Sequence, residues 1–338
     1  MSNRPKELRP PPDGAMLYAF DVSSDGTGRA LTPDDLARPK VEGAAFRWIH
    51  LDMGVAGARD WLAGRIDEVA AASLTLEDTR PRCARHNGGA LINMRGVNLN
   101  PDADPEDMVS IRMWVTPGEI VSVRIRRLLA VVALREAIER GDGPEDVGAF
   151  LAELAAGLTE KMDGVIMGLA DRVDELEAES LDRREGLRAE LASIRRKTII
   201  LRRYVGPQRE ALAGLAAGFA IGVSGEGGLV DAAATTRLRE TADRVTRMVE
   251  ELDAVRERCA ILNDQLADAR AEEMNAQLMV LSVVAAIFLP LGFATGLLGV
   301  NVGGIPGADE PAAFAVLCAL LTAMGGALAW WFHKRGWL

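Results

Sequence analysis

Cysteine and histidine are scarce in this sequence, with three of each in 338 residues. Cys83, Cys259 and Cys318 lie far apart and are odd in number, so they imply no disulfide framework, and a reducing cytoplasm suits the water-exposed part. His50, His86 and His333 are equally scattered. No Ser/His/Asp, HExxH or Gly-rich phosphate arrangement accompanies them, so neither an enzyme nor a cofactor is expected. Basic residues run short as well: 39 Lys and Arg stand against 49 Asp and Glu, a formal charge of −10. That argues against nucleic acid as a partner, which needs a basic surface. Residues 1–14, MSNRPKELRPPPDG, lack the apolar core of a secretory signal and read as a disordered lead-in.

Charge is missing altogether from Gln277–Gly307, QLMVLSVVAAIFLPLGFATGLLGVNVGGIPG. Its first part, about twenty residues, is long enough to cross a bilayer core as one helix. After a short loop with Asp309 and Glu310, a second uncharged run, Ala312–Phe332, is long enough to cross back. The spacing predicts a first span over 277–301, an outer loop over 302–311, a second span over 312–332 and a basic tail over 333–338. Lys334 and Arg335 come after the second span while the loop holds no basic residue, which places both termini in the cytoplasm. Trp330, Trp331 and Trp337 fit an interfacial aromatic belt.

Ahead of the hairpin the chain is soluble in character. Ala15–Val22, Ala45–Leu51, Ala90–Asn98, Met108–Thr116 and Glu119–Arg126 read as strands separated by Gly, Pro and Asp. Val109, Ile111, Met113 and Val115 alternate, and Pro117-Gly118 supplies a tight turn. Helices are expected near Arg59–Ala71 and Thr75–Thr79, making an α/β cytoplasmic domain over 15–127. Residues 128–228 are helical: Leu129–Glu139, then the long charged patterns Glu145–Leu181 and Arg184–Gly218, read as solvated antiparallel helices with a break or kink at Gly206-Pro207. The glycine-rich stretch Gly222–Gly228 reads as a hinge or loop.

From Leu229 no breaker intervenes until Pro290. Leu238, Val245, Met248, Leu252, Val255, Cys259, Leu262 and Leu266 recur at three- and four-residue steps, as in a coiled-coil seam. The stalk over 229–276 thus runs into the first span as one helix of about seventy residues, on the order of 100 Å long. A helix so long needs partners, and other copies of the chain are the simplest. The fold class is an α+β membrane protein with a long helical stalk continuing into the first of two C-terminal spans.

Stepping backward from Asn301 by about three or four residues at a time passes at or near Gly299, Gly296, Gly292, Leu289, Ala285, Ser282, Leu278 and Asn275, then Glu272, Asp268 and Asp264. Turned inward by several copies, this seam makes a narrow neutral passage above an acidic funnel that gathers cations. Plainer readings stand beside it. Gly292–Gly296 is a GxxxG match that marks helix packing, Asp264, Asp268 and Glu272 fit a solvated stalk, Asn275 fits a register-setting residue, and Pro290 fits a simple bend. The polar, small and acidic positions falling together on one seam ending at Asn301 favour a pore.

Leu289-Pro290-Leu291, Gly296 and Gly299-Val300-Asn301 resemble the signature of CorA-type divalent metal transporters, and Val300 with Val302–Gly307 after it is similar to their ZntB branch, associated with zinc. Asp78–Arg82, Leu91–Asn98, Ser110–Val115 and the tail Lys334–Leu338 extend the resemblance over most of the chain. It implies a funnel-shaped homopentamer in the bacterial inner membrane. Gly299, Val300 and Asn301 would form the selectivity motif, with amide and carbonyl oxygens accepting from the water shell of a hydrated ion, and Asp309 and Glu310 would add negative charge at the outer mouth.

The transported ion implied is Zn2+, with Mg2+, Co2+, Ni2+ or Cd2+ as alternatives, because a seam without Cys or His does not itself select zinc. Cys83 and His86 offer two zinc-type ligands at an arbitrary spacing; a structural cysteine beside a surface histidine explains them as well. A doubly charged ion gains roughly 4.6 kcal/mol per 100 mV on entering an inside-negative cell. No carboxylate lies between Gln277 and Leu298 or between Ala312 and Phe332, so proton coupling would have to use Asp309, Glu310, Asp264 or Asp268. A membrane-anchored coiled-coil sensor or scaffold is the rival from another class.

Overall fold

Side chains alternating between two covered faces build the N-terminal part around a sheet. The computed structural model describes residues 9–77, 79–178, 186–218, 228–300, 305, 307 and 310–337. Its strands are β1 (Met16–Ser23), β2 (Gly28–Ala30), β3 (Ala44–Asp52), β4 (Arg82–His86), β5 (Gly89–Gly96), β6 (Val109–Val115) and β7 (Glu119–Arg124). They form a seven-stranded sheet in the order β2-β1-β3-β7-β6-β5-β4. Only the β3–β7 pair is parallel; the other pairs are antiparallel.

Because successive residues point to opposite faces, the sheet carries two cores. On one face Phe46, Trp48, Ile92, Met94, Ile111, Met113 and Ile120 meet three helices, α3 (Leu129–Arg140), α4 (Val147–Ala178) and α5 (Leu187–Gly218). On the other, Ile49, Leu51, Leu91, Trp114, Val121 and Val123 meet α1 (Ala58–Arg65) and α2 (Glu68–Thr75). Helices on both sides leave little of the sheet wet, so its central strands read as nearly continuous apolar runs.

Two expected elements differ. The helix expected over Arg59–Ala71 is two helices, because Ile66 is extended and Asp67 caps the next one, its side chain accepting from the Val69 and Ala70 N–H groups. The helix expected over Thr75–Thr79 is absent among the described residues: Leu76 is extended at the end of α2, and side chains from the sheet hold the backbone on either side of that turn. Arg112 donates to the Leu74 and Glu77 carbonyls at 3.1 Å each. Arg95 donates to the Thr79 carbonyl at 3.0 Å, and Asn93 to that of Arg80 at 2.7 Å. A polar residue buried in a strand must find such partners, and here loop carbonyls supply them.

Pro207 does not end its helix; α5 runs from Leu187 to Gly218 through it. One turn of this helix grips the sheet. The Gln208 amide accepts from the Arg95 N–H at 2.7 Å and donates to the Arg95 carbonyl at 3.0 Å, while Tyr204 lies under the Arg95 guanidinium at 4.1 Å. Strand β4 stops pairing at Asn93. Gln208 therefore takes the place of the strand residue that Arg95 would otherwise need.

The last long helix, α6 (Ala232–Leu298), is 67 residues, and Asp231 caps it by accepting from the Ala234 N–H at 2.7 Å. Of its expected seam, Leu238, Val245, Met248 and Leu252 share one core with Phe150, Leu154, Leu201, Val205 and Leu212. Over this stretch the partners are α4 and α5 of the same chain rather than other copies. Ion pairs stitch the same helices: Arg202 to Asp253 at 2.6 Å, Arg258 to Glu177 at 2.5 Å, and Arg172 of α4 to Glu190 of α5 at 2.6 Å. The chain forms two compact units, Met1–Ile261 and Leu262–Leu338. Most of the Gly222–Gly228 hinge, residues 222–227, lies outside the described residues.

Candidate functional site

The second unit holds the end of α6 and the helix α7 (Ala313–Lys334). Both are long and apolar enough to cross a membrane, and almost none of that apolar surface is covered within the chain. Leu289, Phe293 and Phe314 are 71%, 72% and 77% exposed. Contiguous apolar surface on this scale requires lipid or further protein against it.

Most of what is covered falls on one stripe. Val283 is buried, and Ile287, Leu291 and Ala294 are partly covered. Leu291 lies against Gly325 of α7, where a β-carbon would meet its Cδ1 at 3.4 Å. On α7 the partly covered or buried positions are Ala313, Leu317, Leu321, Gly325, Leu328, Ala329 and Phe332, again one side of a helix. At 3.6 residues per turn, the Val283–Ala294 stripe lies on roughly the opposite side of α6 from the seam Leu278–Gly296. The hairpin is therefore closed with the seam, apart from the partly covered Ala285, left open.

Along that seam, Asn275, Leu278, Ser282, Leu289, Gly292 and Gly296 are exposed and Ala285 is partly covered. A β-carbon at Gly292 or Gly296 would meet nothing within 4 Å, so the GxxxG pair does not pack against α7. The Ser282 hydroxyl donates to the Leu278 carbonyl at 2.8 Å, which leaves only lone pairs on its oxygen for an outside partner. Asp264, Asp268 and Glu272 are exposed on α6. At the helix end, the Gly299 N–H bonds the Thr295 carbonyl at 2.9 Å, and a β-carbon on Gly299 would come within 2.9 Å of that same oxygen. Gly299 and Val300 are thus placed, while Asn301 and Asp309 lie outside the described residues. Glu310 is exposed just ahead of α7.

The first unit does not bring Cys83 and His86 together. Three positions apart on β4, they face opposite sides of the sheet: Cys83 packs against the Trp48 core, and His86 meets the Trp114 ring and Asp67 Oδ1 at 2.7 Å. Burial pushes the Cys83 thiol up to about 12, which disfavours the thiolate a metal would need. Among the described residues no group of three or more His, Cys, Asp or Glu is placed to hold a metal. His50 is fully buried, and burial, with the nearby Arg124 charge second, lowers it to about 3. It bonds Ser122 Oγ through Nδ1 at 2.7 Å and stacks on Tyr18. Cys259 is buried on α6, and burial raises its thiol; Cys318 is exposed on α7.

An α/β unit followed by one long helix and a C-terminal apolar helix is an architecture that known proteins share. The family model of the CorA-like Mg2+ transporter protein matches residues 43–334. The chain belongs to the CorA-like family. Among curated relatives, the zinc transport protein ZntB of Pectobacterium atrosepticum is 37% identical over 295 residues, covering 86% of this chain and 88% of the relative. The divalent cation transporter CmaX of Pseudomonas aeruginosa is 36% identical over 328 residues, covering 96% of this chain and 97% of the relative. The solved structure of full-length CmaX superposes with a TM-score of 0.81 at 35% identity, covering 95% of this chain and 98% of that one. The CorA-like fold, an α/β part with a long helix and a C-terminal apolar helix, is therefore that of this chain.

The seam read from the sequence lies within the uncovered surface of α6, which also takes in Leu281, Phe288, Phe293 and Leu297. The contact that closes the hairpin, Leu291 on Gly325, had only a weak sequence signal in the paired glycines Gly325-Gly326.

Proposed function

We propose that the chain carries divalent cations, Zn2+ foremost, across the bacterial inner membrane along an axis shared by several copies, with both termini in the cytoplasm. The observation that carries this reading is the opposition of the two stripes of α6. One is occupied by α7 of the same chain; the other, Leu278–Gly296, has no partner within it. Copies arranged with that seam inward, five of them by resemblance to the CorA-type funnel, would enclose a passage of small and apolar positions under an Asn301 ring. Asp264, Asp268 and Glu272 would supply the cation-gathering charge beneath. The zinc assignment is supported by the ZntB relatives. The family description favours magnesium as the alternative cargo, and a hydrated ion held by amides and hydroxyls suits either.

The spans hold no carboxylate, so the membrane passage contains no proton relay of the usual kind. Any coupling to protons runs through Asp309, Glu310, Asp264 or Asp268. Metal-resolved flux into proteoliposomes, with and without a pH gradient, tests the reading. The expected result is zinc uptake that Asn301→Ala reduces at least tenfold while the oligomer still assembles. Undiminished flux in that variant would return the hairpin to the role of an anchor.

A further inference from the structure

The end of α7 carries a built feature that permeation does not use. Lys334 and Arg335 lead into Gly336 at φ 72°, a left-handed conformation that glycine adopts without strain. The Gly336 N–H bonds the His333 carbonyl at 3.0 Å and the Trp337 N–H bonds the Phe332 carbonyl at 3.1 Å. These are the paired bonds of a Schellman helix end, and its usual apolar contact is present too: Trp337 stacks on Phe332 at 5.5 Å between ring centres. The chain thus turns back on the span it has just completed.

This turn places two cations on aromatic rings. Arg335 lies over Trp331 at 4.5 Å and Lys334 over Trp330 at 5.3 Å. Neither has a carboxylate partner among the described residues, although the chain as a whole is acidic. A guanidinium stacked by its face keeps its N–H edge free, and that edge matches a phosphate in two parallel hydrogen bonds. Trp330, Trp331 and Trp337 remain 63%, 41% and 41% exposed, and such rings settle at the level of lipid headgroups. We propose that Trp330–Trp337 is a clamp for the phosphate of an anionic phospholipid. Arg335 and Lys334 contact the phosphate, Trp331 and Trp330 hold the two cations in place, and Trp337 seats the turn against Phe332. The proposal rests on the membrane reading of α7 but not on any permeation path.

The test uses the full chain reconstituted in phosphatidylcholine vesicles containing spin-labelled phosphatidylglycerol or spin-labelled phosphatidylcholine, with lipid association read by electron paramagnetic resonance. Wild type is expected to prefer phosphatidylglycerol. Each cation removed should weaken that preference about fivefold, so K334Q/R335Q should lose about 25-fold. Trp331→Leu keeps both charges but removes the platform, and it should lose several-fold. An unchanged preference in K334Q/R335Q overturns the proposal. A full preference in Trp331→Leu overturns the clamp in favour of diffuse charge attraction. Vesicle flotation runs alongside: a wild-type chain that fails to float with vesicles overturns the membrane reading itself, whereas a chain that floats without lipid preference overturns only the clamp.

Discussion

Leu291 on α6 rests against the backbone of Gly325 on α7, at a distance where a β-carbon on the glycine would just touch it, 3.4 Å. This approach closes the hairpin from the side away from the seam. Gly325→Ala should therefore be accepted with little change. Gly325→Leu must push the helices apart and should cost about 1–3 kcal/mol, read as a lower melting temperature of the chain in nanodiscs.

Gly292 and Gly296 make the contrasting case, since a β-carbon at either meets nothing within the chain. Gly292→Leu or Gly296→Leu should leave the nanodisc melting temperature within a few degrees of wild type. The same variants should block metal flux, because the added bulk would occupy the proposed shared axis.

Gly299 differs from both. Its β-carbon would fall 2.9 Å from the Thr295 carbonyl oxygen, closer than carbon and oxygen approach without displacement. Gly299→Ala should reposition the helix end and with it Asn301. Zinc flux should fall by at least tenfold with only a small loss in thermal stability.

Gln208 satisfies both backbone groups of Arg95 at once. Gln208→Ala leaves a buried donor and a buried acceptor unpaired, at about 1–3 kcal/mol each. The melting temperature should drop by several degrees, and Gln208→Glu, which keeps the acceptor but cannot donate to the carbonyl, should fall between the two.

His50 gives a pH dependence with a definite sign. Burial lowers its folded pKa to about 3, against about 6.5 in the unfolded chain. The unfolded state therefore binds the extra proton between those values. The contribution to stability is complete above about pH 6.5 and is lost as pH falls, at up to about 1.4 kcal/mol per pH unit. His50→Gln should flatten that part of the melting-temperature profile between pH 6.5 and 4.5.

The sheet was legible where strands are buried and apolar, and illegible where they are not. Val109–Val115 alternates plainly, whereas β4, Arg-Cys-Ala-Arg-His, is an edge strand whose pairing with β5 supplies what its composition lacks. Strand β2 spans only Gly28–Ala30 and is set by its hairpin with β1. Asn93, Arg95 and Arg112 did leave a sign, as polar residues inside apolar strands, but what they hold, the carbonyls of residues 74–80, depends on tertiary approach. Pro207 stands inside a helix because α5 is anchored on the sheet by its neighbours Tyr204 and Gln208.

The apolar stripe from Leu238 to Leu252 was readable, yet its partner was not: periodicity reports a buried face without saying whether the same chain covers it. For the hairpin the same holds. Spacing picked out a seam from Asn275 to Gly299 but gave no sign of where α7 lies; the structure places it on the other side of α6, against Leu291.

Cysteine scanning in a chain freed of Cys83, Cys259 and Cys318 puts the central geometry to the most direct test. Leu289→Cys lies on the seam and Ile287→Cys on the stripe beside α7. Zinc flux through Leu289→Cys should be blocked by a water-borne thiol reagent, with disulfides forming between copies, while Ile287→Cys stays insensitive. Block at Ile287→Cys with free passage through Leu289→Cys would contradict the account.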